Sequence, residues 1–207
     1  MIKAILFDMD GVLIDAREWH YEALNESLAL LGYKISFETH ITTYDGLPTK
    51  KKLKLLSQTD GLPTGLHDLI NELKQIKTVA LSYARCKPTF NHIQTLSSLK
   101  RYGYKIAVCS NSIRNTIETM MKLSRLEEYL DGIYSNEDVS LPKPNPEIYL
   151  KAMKELKIKP NETLILEDNI HGIKAAYDSG AHVMEIAEPA NVDFQSIQTL
   201  IKELNRK

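Results

Sequence analysis

The feature that most constrains this chain is a set of short apolar runs that do not alternate. Ala4–Phe7, Lys105–Cys109, Gly132–Tyr134, Thr163–Leu166 and His182–Ile186 are short and rich in Leu or β-branched residues. Gly132–Tyr134 is the weakest of them. Unbroken apolarity over so few residues fits strands covered on both faces, as in a parallel sheet. Stretches with helical spacing lie between them. Asn91–Lys100 carries Ile93, Leu96 and Leu99; Ile113–Leu123 carries Ile117, Met120 and Met121; Pro146–Leu156 carries Ile148, Tyr149, Ala152 and Met153. Asn145-Pro146 suits a helix start with Pro146 as the first helical residue, while Gly103 and Gly180 suit helix stops. Strand and helix in alternation predict an α/β fold with a doubly wound parallel sheet.

Residues 16–83 break the alternation. They read as helices over Trp19–Leu31, Thr49–Gln58 and Gly65–Ile76, with turns at Asp45-Gly46 and Asp60-Gly61. The stretch follows the first strand and precedes the second. It therefore reads as a small all-helical cap, 16–83, inserted into a core made of 1–15 and 84–207. The basic run Lys50-Lys51-Lys52-Lys54 reads as a solvated helix face, with a substrate-facing patch as the other reading.

Composition removes several classes of function. A formal net charge of −1 gives no general pull toward nucleic acid or anionic lipid. No run of about 18 apolar residues occurs, so no membrane span is expected. The histidines are scattered singly, and Cys86 and Cys109 lack CxxC spacing. Cys109 lies in an apolar run and reads as a reduced, buried thiol. The opening Met1–Asp8 is too short and too soon acidic for a signal peptide. The expectation is a cytoplasmic monomer or weak homodimer, with no nucleic-acid or membrane partner.

Four polar sites follow the apolar runs. Asp8 and Asp10 come directly after the first strand, two residues apart, so extended backbone puts both carboxylates on one side. Gly11 lets the chain turn sharply behind them. Like charges so close need a cation or a shared proton, and Mg²⁺ suits hard oxygen donors that must leave room for phosphate. Ser110-Asn111-Ser112 offers hydroxyl, amide and backbone donors after the second strand. Lys143 sits between Pro142 and Pro144, which fix an ammonium cheaply. Glu167-Asp168 ends the fourth run; neighbouring side chains point apart, so Asp168 is the direct metal ligand and Glu167 its partner. Each piece alone could be an ordinary turn, cap or solvated loop. Together they supply a nucleophile, an acid/base, a metal carboxylate, a hydroxyl donor and a fixed cation.

These residues resemble the haloacid dehalogenase superfamily, and within it the β-phosphoglucomutase-like group. The matching pieces are Asp8–Asp15, Cys109-Ser110-Asn111, Lys143–Tyr149 and Glu167–Gly172. The resemblance implies a Rossmann-like core with the cap after its first strand. It implies that Asp8 attacks phosphorus and that Asp10 protonates the leaving group, then activates water. It places Mg²⁺ on Asp8, the main-chain carbonyl of Asp10, and Asp168, and the phosphoryl group on Ser110 and Lys143. The superfamily's dehalogenases lack the second acid of the first motif, so Asp10 argues for phosphoryl transfer.

The implied activity is Mg²⁺-dependent hydrolysis of a small phosphorylated metabolite. A mutase would keep an arginine three residues beyond the cap glycine, where Thr49 stands after Gly46. His20 does occupy the place of the mutase's cap histidine, and reads either as a substrate contact or as a residue packed beside Trp19. Glu18, Tyr44, Thr49 and Lys50 are further candidates for selecting the leaving group. A non-enzymatic phospho-accepting domain would be about half as long and would lack the insertion.

Overall fold

The computed structural model describes residues 1–206; Lys207, the end of the expected core segment, lies outside them. Five strands form one parallel sheet in the order β3-β2-β1-β4-β5. They are β1 (Ala4–Phe7), β2 (Lys105–Cys109), β3 (Gly132–Tyr134), β4 (Thr163–Glu167) and β5 (His182–Glu185). Every expected strand is present, β4 running one residue further and β5 stopping one residue earlier.

The absence of alternation has a visible cause. Ile5, Phe7, Val108, Leu164 and Leu166 face one apolar cluster, while Leu6, Ala107, Cys109 and Ile165 face another on the opposite side. The first is covered by α5 (Phe90–Arg101), α6 (Arg114–Leu123) and α9 (Phe194–Leu204), through Leu96, Leu99, Ile117, Met120, Ile197 and Ile201. The second is covered by α7 (Glu147–Glu155) and α8 (Ile170–Asp178), through Ile148, Tyr149, Ala152, Ala175 and Ala176. A strand apolar on both faces is what such double cover requires. The start of α7 is one residue later than expected: Asn145 Oδ1 accepts from the Glu147 amide at 3.0 Å, and Pro146 precedes the first turn.

From β1 the chain passes to β2 on one side, and from β3 it crosses to β4 on the other. The carboxyl end of β1 is thus a switch point, where a parallel sheet opens a crevice.

Between β1 and β2 lie α1 (Arg17–Ala29), the short α2 (Phe37–Thr39) with a wide helical turn at His40–Tyr44, α3 (Thr49–Thr59) and α4 (His67–Arg85). Leu24, Leu28, Ile35, Tyr44, Leu53, Leu56, Leu62 and Ile70 give this layer, the cap, a cluster of its own. The helix expected to end at Ile76 continues to Arg85, past the expected boundary at 83/84. Its buried face is Ile70, Lys74, Thr78 and Ser82, at four-residue spacing. Thr78 and Ser82 donate to the carbonyls of Lys74 and Thr78, so small hydroxyls are buried without unmet bonds against α1. A hydrophobic pattern does not register such a face. The basic run is corrected in one place: Lys50, Lys51 and Lys54 are exposed, but Lys52 is only 6% exposed. Thr49, Lys52, Leu53 and Leu56 form the inward face of α3.

Cys86 and Cys109 are buried and unpaired. Among the described residues no helix is long and apolar enough to cross a membrane.

Candidate active site

Nine of the residues singled out from the sequence, Asp8, Asp10, His20, Thr49, Ser110, Asn111, Lys143, Glu167 and Asp168, line one cavity of about 640 Å³ between sheet and cap. Lys50 lines it too. Tyr44 instead packs in the cap's apolar cluster, and Glu18 is exposed away from the cavity.

Lys143 is the hub of the floor. Its ammonium, 3% exposed, donates to Asp8 Oδ1 at 2.6 Å, to Glu167 Oε1 at 2.5 Å and to the Cys109 carbonyl at 2.8 Å. Burial would lower its pKa, but the charges of Asp8 and Glu167 outweigh burial and hold it above the usual lysine value. Asn111 sets the loop that carries it, accepting from the Lys143 amide at 3.0 Å and donating to the Lys143 carbonyl at 3.3 Å. The same amide group donates to the Gly46 carbonyl of the cap at 2.9 Å. Asn111 is therefore a tie between loop, core and cap. Ser110 is buried, and its hydroxyl accepts from the Ser112 amide at 3.0 Å.

Three acids crowd beside the lysine. Carboxylate oxygens of Asp8, Glu167 and Asp168 lie within 4.8 Å of one another. Burial drives the Asp8 carboxyl well above the usual range, aided by the neighbouring acids and opposed by Lys143. Asp168 rises to about 7, chiefly by burial and then by Glu167, against the pull of Arg17. Asp168 Oδ1 is buried with no hydrogen-bond partner among the described residues. The Lys143 ammonium and the Arg17 guanidinium on Asp168 leave three carboxylates short of one positive charge, and an orphaned hard oxygen in that cluster fits a divalent cation. Glu167 also accepts from the Tyr149 hydroxyl, which locks its carboxylate toward the floor. Gly11, at φ +88°, passes so close to Asp168 that a Cβ there would meet Oδ2 at 2.0 Å.

Asp10 stands apart from that cluster. Its carboxylate accepts from the Ser112 hydroxyl at 3.0 Å, and its other oxygen lies 3.0 Å from His20 Nε2. The metal contact expected of Asp10 thus rests on its main-chain carbonyl alone. Burial would raise the Asp10 pKa, but His20, Ser112 and the charge of Lys74 together bring it below the usual value. Lys74 in turn donates to His20 Nδ1 at 3.1 Å. His20 is thus held between an acid and a lysine rather than merely packed beside Trp19.

Arg17 ties cap to core. Its guanidinium donates to Asp168 Oδ2 at 3.0 Å and lies 3.1 Å from Asp45 Oδ2. Gly46, at φ +72°, lets the cap loop pass Asn169, whose side chain a Cβ would meet at 2.5 Å.

The pattern "Haloacid dehalogenase-like hydrolase" matches residues 5–186. The chain belongs to the haloacid dehalogenase-like hydrolases. A probable pseudouridine-5'-phosphatase of Saccharomyces cerevisiae is 32% identical over 202 residues, covering 91% of this chain and 84% of that protein. Pyrophosphatase PpaX of Bacillus cereus strain Q1 is 30% identical over 204 residues, covering 90% and 83%. Family membership and these phosphatase relatives make the chain a phosphoric monoester hydrolase by class. Among solved structures, β-phosphoglucomutase of Clostridium difficile superposes with a TM-score of 0.86 over 100% of both chains at 22% identity, a likeness of fold. CbbY of Rhodobacter sphaeroides, in complex with phosphate, gives 0.82 over 94% and 91% at 26% identity.

In this haloacid dehalogenase-like site, sequence reasoning left out Arg17 and Lys74, and it named Lys52, Ser112 and Tyr149 only within longer segments, with none of them singled out. Two of these had a signal. Lys52 is three residues from Thr49 and four from Leu56, and Lys74 is four from Ile70, so both interrupt otherwise inward-facing stripes.

Proposed function

We propose that the protein is a Mg²⁺-dependent phosphatase of small phosphorylated metabolites that works through an aspartyl-phosphate on Asp8. The observation that carries this is that Asp8 and Asp10 open into the same cavity but in opposite states. Asp8 is clamped to Lys143, and Asp10 is held by Ser112 beside His20. A pair of carboxylates so separated in environment is what a nucleophile and a proton carrier require.

In the first step an Asp8 oxygen bonds to phosphorus and the bond to the leaving oxygen breaks. Asp10 gives that oxygen its proton. The low pKa of Asp10 in the empty cavity is no obstacle, because a phosphoryl dianion arriving beside it raises the value. In the second step water attacks the aspartyl-phosphate, Asp10 takes its proton, and Asp8 and inorganic phosphate are released. Lys143 and the Ser110 hydroxyl hold the phosphoryl oxygens, and Asn111 keeps the Lys143 loop in place. Mg²⁺, held by Asp8, Asp168 and the Asp10 carbonyl with Glu167 behind them, would supply neutralisation of phosphoryl charge. Residues 16–83 act as a cap domain, and its seat on the core through Asn111 and Arg17 excludes water.

The names of the yeast and Bacillus relatives extend the substrate range to nucleoside monophosphates and pyrophosphate. The test is a panel of small phosphomonoesters followed by phosphate release, with Mg²⁺ and with chelator. Release that needs Mg²⁺ is expected; equal release in chelator would overturn the reading. Thr49, at the first turn of α3, offers no bidentate cation for a distal phosphate, which argues against the mutase. β-Glucose 1-phosphate with a trace of 1,6-bisphosphate should yield free phosphate rather than glucose 6-phosphate.

A further inference from the structure

The roof of the cavity contains two lysines that nothing in the reaction above uses. Lys52 on α3 and Lys74 on α4 are each 6% exposed and both line the cavity. Lys74 reaches only the His20 ring; Lys52 has no hydrogen-bond or ion-pair partner among the described residues. Burying an ammonium without a carboxylate is unfavourable, and lysine shifts its pKa in response. Lys52 falls to about 8, by burial against the weaker pull of Asp45 and Asp10. Lys74 falls to about 7, by burial and then by the charge of Lys52, against Asp10.

The nearby acids are already engaged. Asp45 is taken by Arg17 and by Asn169, whose amide donates at 3.3 Å. Asp10 accepts from Ser112 through one oxygen and faces His20 Nε2 at 3.0 Å with the other. The roof therefore presents positive charge with no protein anion to meet it. It is also close to the chemistry: a single imidazole separates Lys74 from Asp10, through contacts of 3.1 and 3.0 Å. An anion held there sits only a few bonds from the oxygen that Asp10 protonates.

We propose that Lys52 and Lys74 select substrates whose leaving group carries a second anionic group, a phosphoryl or a carboxylate, within a few bonds of the bridging oxygen. This rests on the phosphatase reading and narrows it. Leaving groups that are neutral near the ester, such as a nucleoside or a glycerol, leave the roof unmet. Those that bring the anion give both ammonium groups charge-assisted bonds inside the cavity.

The test uses paired substrates, and each pair's ratio is compared between wild type and variant, so that intrinsic reactivity cancels. 2-Phosphoglycolate is compared with 2-hydroxyethyl phosphate for the carboxylate, and pyrophosphate with methyl phosphate for the phosphoryl group, each as kcat/KM in the wild type and in Lys52→Gln and Lys52→Arg. The expected result is a preference for the charged member of at least one pair that falls by about tenfold or more in Lys52→Gln and returns in Lys52→Arg. No preference in either pair, or a preference unchanged in a folded Lys52→Gln, would overturn the proposal. Calorimetric binding of methylenediphosphonate against methylphosphonate reads the roof without turnover. Tighter binding of the former in the wild type, lost in Lys52→Gln, supports the roof site even if no monoester is hydrolysed; equal binding overturns it. Failure of the phosphatase reading is thereby kept separate.

Discussion

Lys143 in the core and Lys52 in the cap are both lysines taken out of water, and their surroundings are opposite. Lys143 meets two carboxylates and a carbonyl, and its proton is held tightly. Lys52 meets none, and its proton is held loosely. The difference follows from position. The strand ends of a parallel sheet converge acids and a loop lysine onto one point, so the lysine there is partnered by carboxylates of the protein. The cap faces that point across a cavity, and its charge is left for whatever enters. On the reading proposed above, chemistry in this protein belongs to the partnered charges, and choice of leaving group to the unpartnered ones.

The comparison is broken most directly at Asp8. If the core charges exist for chemistry, Asp8→Asn loses at least about 10³-fold in kcat, since an amide cannot attack phosphorus. Retention of a few per cent of turnover on the best substrate would end the assignment. Asp10→Asn slows both steps, and intact mass should reveal a trapped phosphoryl adduct.

The same clamp predicts a loss of stability. Lys143→Met leaves Asp8 and Glu167 buried side by side with no cation, which costs about 3–5 kcal/mol in denaturant unfolding at neutral pH. A small cost, under about 1 kcal/mol, would mean that the pair is not buried as a unit.

The fold and most of this floor were legible in the sequence because both rest on adjacency along the chain. Asp8 and Asp10 follow β1 directly, Ser110 follows β2 and Glu167 closes β4, so finding the strands found the residues. The roof was not legible for the converse reason. Lys52 looks like its exposed neighbours Lys50 and Lys51, and only its place in the stripe Thr49, Lys52, Leu53, Leu56 turns it inward. Lys74 lies inside the expected helix Gly65–Ile76, but its stripe continues through Thr78 and Ser82 rather than apolar residues, so nothing marked that face as turned inward. Helix α9 passed unremarked although Asp193 caps it, accepting from the amides of Gln195 and Ser196.

Metal dependence tests the other half of the floor. Lys143 neutralises Asp8 and Glu167 from one side; Asp168, with its orphaned Oδ1, faces the other. Chelator should abolish turnover and added Mg²⁺ restore it. Asp168→Ala should raise the Mg²⁺ concentration for half-maximal activity by about 10–100-fold. An unchanged Mg²⁺ requirement would confine the metal to Asp8 and the Asp10 carbonyl.

The smallest effect has the opposite sign, and it sharpens the comparison most. Lys52 lowers stability because its folded pKa, about 8, lies below the ordinary lysine value of 10.5. Below pH 8 the group is charged in both folded and unfolded chains, and the folded one bears the full cost of burying it. Between about 8 and 10.5 the unfolded chain binds more protons than the folded one, so stability rises with pH and the cost fades. His20 on α1, His40 and Asp45 before α3, Lys74 on α4 and Asp10 from the core surround it, and of these only Asp45 and Asp10 oppose the shift. Lys52→Met keeps the length of the side chain and removes the charge. It should therefore stabilise the protein at pH 7 by about 1–3 kcal/mol, with the gain shrinking toward pH 10. Lys143→Met, measured alongside, should destabilise at both pH values. A Lys52→Met protein less stable than wild type at pH 7 would mean that the cap lysine has a partner in solution, and the contrast between the two lysines would fall.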